Sequence, residues 1–236
     1  MVKESPVYDK TYILEAARLG EIDQIPKHIL TQEYLTVKGL SDVTPLHWAA
    51  ESGCLDQVPS QFLTAQNLLT KDSSGRSPLH WAAECGQLNQ IPTSLLTAEN
   101  LQIKDKDGNC SLHQAAANGY LGQLPIEILT DSNLLLHNRD GITPLDWAAY
   151  YGHIHQIPRS VLTPKNLLHK DNFGLSPLQR AEQKGHLDAL LGIKFEDTKE
   201  IRDIVGDWYD KNIQFIKDQN LTAYVKEDEA QEIDIF

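Results

Sequence analysis

Apolar residues return along this chain in a fixed rhythm. Leu46, Ala49 and Ala50 fall at i, i+3 and i+4, and the set reappears as Leu79, Ala82, Ala83, then Leu112, Ala115, Ala116, then Leu145, Ala148, Ala149. That spacing predicts a helix with one narrow apolar face. Thr44 precedes Pro45, and Gly53 follows the last apolar pair. A hydroxyl cap, a proline in the first turn and a glycine just past the end mark both helix termini. A second apolar group, Leu55, Phe62 and Leu63, brackets Pro59. Proline breaks a helix interior but tolerates its first turn, so a second helix is expected to start there. Thr64 is positioned to cap one more turn through Asn67 and Leu68, and the polar residues 71–75 lead onward. The predicted unit is helix, turn, helix, exposed loop.

The unit recurs. Thr11, Thr44, Ser77, Cys110, Thr143 and Ser176 stand 33 residues apart, as do Gly20, Gly53, Gly86, Gly119, Gly152 and Gly185. Pro26, Pro59, Pro92, Pro125 and Pro158 keep the same phase. A unit of this size has no core of its own, and stacking units creates one. Paired alanines allow neighbouring helices to approach to about 8 Å. The expected fold class is therefore all-α, a solenoid of six stacked units over residues 1–192. Its ends depart from the pattern. Tyr12 and Glu15 replace Pro and Trp in the first unit, and Arg180 and Glu182 replace Trp and Ala in the last. These charges are expected to face outward and keep the ends soluble. Residues 193–236 leave the period. Asp197 and Glu200 read as a capping box, and Ile201, Ile204, Val205, Trp208, Phe215 and Ile216 as the stripe of a helix covering the last unit. Residues 225–236 are acidic and expected to be mobile.

Charge narrows the partners. The net charge is −12, and residues 193–236 supply half of it. A phosphate backbone would be repelled, so no nucleic-acid partner is expected. No apolar run approaches the roughly 18 residues of a membrane span, and MVKESPVYDK has no signal-peptide core, so a cytoplasmic protein without membrane contact is expected. Cys54, Cys85 and Cys110 show no paired spacing and are read as small buried apolar residues.

Candidate chemistry is sparse. His47, His80 and His113 occupy equivalent positions. Equivalent atoms in adjacent units lie about 8–10 Å apart, whereas zinc takes its ligands near ~2.1 Å. No metal or other cofactor is expected. The His80/Glu84 spacing comes without an HExxH pattern, and no nucleophile elbow or phosphate loop is present, so no enzyme is expected. Trp48, Trp81 and Trp147 are read as filling the joints between units.

The segment DSSGRSPLHWAAECG, residues 72–86, carries the order Asp-x-x-Gly-x-Thr-Pro-Leu-His-x-Ala-Ala-x-x-Gly with Ser for Thr. It resembles the ankyrin repeat, and the resemblance extends over residues 6–192. One part departs: LDQVPSQFLTAQNLL puts a proline and an LTxxNL segment where the family's second helix is unbroken. The resemblance implies that the repeated His bonds to the backbone of a neighbouring loop. It also implies a concave binding face built from loop tips and first-helix ends. On that face Tyr150, Tyr151, Ile142, Phe173 and Leu175 are expected to form an exposed apolar patch with Arg139 at its rim, and Arg76 is a further candidate contact. The expected function is a non-catalytic protein-binding module centred on repeats five and six. The alternative is an acidic inhibitor, immunity-type or nucleic-acid-mimicking protein that blocks a basic surface. The partner is a protein of unknown identity, and a monomer is expected.

Overall fold

The structure, a computed structural model, describes residues 8–190. It contains six first helices in phase with the repeat: α1 Lys10–Leu19, α2 Pro45–Ser52, α3 Pro78–Cys85, α4 Ser111–Asn118, α5 Pro144–Tyr151 and α6 Pro177–Lys184. Each packs on the next along the chain, α1 on α2 through to α6 on α5, and no strand occurs among the described residues. The expected all-α solenoid is what forms. Leu46, Leu79, Leu112, Leu145 and Leu178 are fully buried between neighbouring units, with Ala49, Ala82, Ala115, Ala148 and Ala181 beside them. Each buried leucine contributes about 1.5–3 kcal/mol of transfer free energy.

The second layer differs from expectation. Pro59 does not open a helix; its ψ of 129° is extended. Two single 3₁₀ turns, Leu55–Gln57 and Ser60–Phe62, lie on either side of it, followed by one α turn, Ala65–Leu68. The LTxxNL segment explains why one turn suffices. Thr64 caps the turn by accepting from the Asn67 N–H at 3.3 Å, and the Asn67 amide reaches back to the Phe62 carbonyl at 2.8 Å. Asn100, Asn133 and Asn166 make the same reach to Leu95, Ile128 and Val161. Side-chain hydrogen bonds thus satisfy carbonyls that a longer helix would satisfy internally. Leu68, Leu101, Leu134 and Leu167 are fully buried beneath these turns.

A ladder of glutamines joins adjacent units. The Gln57, Gln90, Gln123 and Gln156 amides donate to the carbonyls of Gly20, Gly53, Gly86 and Gly119 in the preceding unit. Their oxygens accept backbone N–H groups of Asp23, Leu55, Leu88 and Gly122. At Gly86, φ is +73° and an added Cβ would lie 2.6 Å from the Tyr120 ring. Glycine there serves both the left-handed helix end and the close approach of the next unit.

The loops between units are fingers. Asp72 Oδ1 accepts from Ser74 and Arg76 N–H, and Asp105, Asn138 and Asp171 repeat this clasp. Neighbouring tips are tied by one backbone bond each: Ser73 N–H to Ser41 O, Lys106 to Ser74, Arg139 to Asp107, Asn172 to Asp140. The finger of repeat two has Gly39 where the others have Asp or Asn, and Asp42 where they have glycine. Its Ser41 and Asp42 adopt positive φ, 56° and 60°, and Leu40 at its tip is exposed. The capping helix expected from Asp197 onward and the acidic segment 225–236 lie outside the described residues.

Candidate functional site

The histidine ladder is structural. His47 Nδ1 accepts the Thr44 N–H at 3.1 Å, and Nε2 contacts the Arg76 carbonyl of the next finger at 3.1 Å. His80 and His113 do the same with Ser77 and Asn109, and with Cys110 and Ile142. Burial pushes the His47 and His113 pKa values down to about 4 and lowers that of His80. These rings are neutral, with the Nδ1 lone pair engaged by a buried amide. No group of three or more His, Cys, Asp or Glu among the described residues is placed to hold a metal ion. Cys54 and Cys110 are buried as expected, while Cys85 is half-buried.

Trp48 and Trp81 fill a joint, edge to face at 5.5 Å between ring centroids. Trp81 also donates from Nε1 to Asp72 Oδ2, and Arg76 lies 5.6 Å over its ring while pairing with Glu84. Finger residues therefore face the outer columns of the first helix. Arg76 is committed to this closed cluster in repeat three, away from the patch expected on repeats five and six.

Repeat six corrects the expectation for Arg180. It does not face outward; it is 6% exposed and pairs with Asp171 in its own finger. Its Nε lies 3.6 Å from Asp146 Oδ1. In repeats two and three the same two positions hold His47 and Trp81, with ring centroids 5.5 Å apart. An Asp–Arg ion pair thus replaces a His–Trp contact. Asp146 still caps α5, accepting from the Thr143 N–H and hydroxyl at 2.8 and 2.7 Å. Burial raises the Asp146 pKa against these bonds. Burial also pushes Asp171 upward, but the Arg180 hydrogen bond and finger amides outweigh it and hold Asp171 low.

Of the expected patch, Tyr151 is 47% and Phe173 66% exposed, Arg139 is exposed, and Tyr150 and Leu175 are half-buried. Ile142 is 6% exposed, which overturns its expected place on the surface. It precedes the α5 cap, its carbonyl accepts from His113, and Val43 in the same register is buried too. Val43 and Ile142 turn inward at that register, while Leu175, one unit further on, is half-buried. The two tyrosines belong to a tighter group than expected. Tyr151 stacks on Trp147 at 5.7 Å, Tyr150 meets Tyr151 edge to face at 4.9 Å, and Lys184 Nζ lies 4.5 Å from the Tyr150 centroid. Trp147 and Lys184 are additions to the site. The signal for Lys184 was its place one period after Tyr151.

Stacked helical units with an interunit core define a helical-repeat solenoid. The family model of ankyrin repeats (three copies) matches residues 13–107 and 46–125. Ankyrin repeats are thus present within residues 13–125, and the 33-residue period of the sequence runs on to Gly185. A search of curated proteins finds no match for the chain. Ankyrin repeats are generally protein–protein interaction modules. No helix among the described residues is long and apolar enough to cross a membrane.

Proposed function

We propose that this chain is a non-catalytic protein-binding module that receives its partner on the concave side, centred on repeats five and six. The carrying observation is the aromatic group at the end of α5, where Tyr151 remains half exposed while stacked on Trp147. Equivalent positions hold Ser52, Cys85 and Asn118, so the repeat pattern does not require a ring there. Rigid amphipathic rings held in place by neighbours give contact area at low entropic cost, as interface hot spots do. Phe173, on the finger of repeat six, adds a second exposed ring. The partner is a protein, bound by a preformed surface with no cofactor.

The test replaces Tyr150 and Tyr151 together by alanine. Partner affinity should fall by about 2 kcal/mol, roughly thirtyfold, with an unchanged circular dichroism spectrum. The matched pair Glu51→Ala with Ser52→Ala should matter less. A folded tyrosine variant that binds as before would place the interface elsewhere. If the tyrosine variant unfolds, Phe173→Ala provides the surface test, because that ring is 66% exposed.

A further inference from the structure

We infer that the surface at repeats five and six recognises an acidic segment, one that presents a carboxylate next to an apolar side chain. The inference rests on the proposed binding role of this surface and specifies the chemistry of what it binds. Its ground is a comparison within the chain. In repeat three a cation lies over an aromatic ring, Arg76 over Trp81, and the Glu84 carboxylate completes the arrangement. At repeats five and six a cation again lies over a ring, Lys184 over Tyr150. The residue in the register of Glu84 is here Tyr150 itself, with Gln183 one unit on. Among the described residues no carboxylate pairs with Lys184, nor with the exposed Arg139. The other exposed first-helix cations, Lys10 and Arg18 on α1, are paired with Glu33 and Glu15. The buried cation Arg180 is paired with Asp171.

A partner carboxylate that reaches Lys184 would complete the three-part cluster seen in repeat three. Its apolar neighbour would then lie on Tyr151, and Phe173 provides further exposed apolar surface on the adjoining finger. Ion pairs at a partly desolvated rim gain over fully exposed ones, and a ring under the ammonium holds it in place. The chain's net charge of −12 works against an acidic partner at long range, but screening confines that effect to about 8 Å at physiological salt. Local cations therefore decide the sign of recognition.

The experiment uses the full chain and three synthetic twelve-residue peptides of identical apolar content, in which the polar positions are all Glu, all Gln or all Lys. Binding is read by tryptophan fluorescence and by titration calorimetry at low and physiological salt. The Glu peptide should bind at least about fivefold more tightly than the Gln peptide, the equivalent of about 1 kcal/mol. Lys184→Glu should bring the ratio of Glu-peptide to Gln-peptide affinity down to one or below. Lys184 is exposed, so the variant should fold normally, and circular dichroism checks this. Equal binding of the Glu and Gln peptides, preference for the Lys peptide, or no binding of any peptide would each overturn the inference. The proposed function fails separately. If the natural partner's affinity depends on Tyr150 and Tyr151 but not on Lys184, the binding role stands and the acidic specificity falls. If neither change matters, both fall.

Discussion

Three residues of one type show how burial sets chemistry here. His47, His80 and His113 are each at most 1% exposed and bonded at both ring nitrogens. Burial leaves a protonated ring without solvent, which is why the folded pKa lies below that of the unfolded chain, and protonation would also turn the Nδ1 acceptor into a donor facing a buried N–H. The sign follows. Above pH 6.5 these rings are neutral in both states and their packing contributes in full. As pH falls from about 6.5 to about 4, the unfolded chain takes up protons that the folded chain refuses, and stability is lost. His47 and His113, with values near 4, should each forfeit up to about 3 kcal/mol across that window. Asp146, whose pKa is raised, acts in the opposite direction and loses its contribution as pH rises through its folded value. Urea denaturation between pH 7 and pH 4 should show a falling midpoint, and His113→Asn should flatten the fall. A midpoint independent of pH in the wild type would contradict neutral buried rings.

At the scale of the element, the informative joint is that between α5 and α6. A buried ion pair broken on one side leaves an uncompensated charge, at a cost of about 3–5 kcal/mol, whereas exchange of both partners costs far less. Repeats two and three already contain the alternative pair, His47 with Trp81. Asp146→His combined with Arg180→Trp should therefore fold with stability near wild type, with Asp171 accepting the indole N–H as Asp72 does from Trp81. Asp146→His alone should destabilise by less than Arg180→Leu, because Arg180 keeps Asp171 while Arg180→Leu strands two buried acids. A double-mutant cycle read by thermal melting measures this. Strictly additive effects would mean that the two positions do not couple.

At the scale of the molecule, stability is carried by joints between units, since each unit contacts its neighbours. Ala82 is fully buried, on a helix, α3, that packs against both α2 and α4. Ala82→Leu should force two units apart and cost about 1–3 kcal/mol or more by overpacking. Hydrogen exchange should then show lost protection spreading from repeats two to four while repeat six is less affected. A melting temperature equal to that of the wild type would refute close packing at that joint.

The sequence by itself determined the period, the helix ends and the solenoid. These are local facts in one frame: a glycine in all six units, and a proline after the cap and a Leu-x-x-Ala-Ala face in four units each. It also marked Tyr150 and Tyr151, because two rings at positions the pattern leaves free stand out against Glu, Ser, Cys, Ala and Asn. Only the tertiary structure decided the second layer. Proline allows either a helix start or an extended step, and the choice fell to the Asn67-type side chains and the glutamine ladder, whose partners lie in a neighbouring unit or across a turn. It likewise decided that Ile142 turns inward and that Arg180 is buried. A lone Arg at a Trp position reads as surface until Asp146 and Asp171 are seen to converge on it, and that convergence depends on the stacking of neighbouring units, which no single unit's sequence contains.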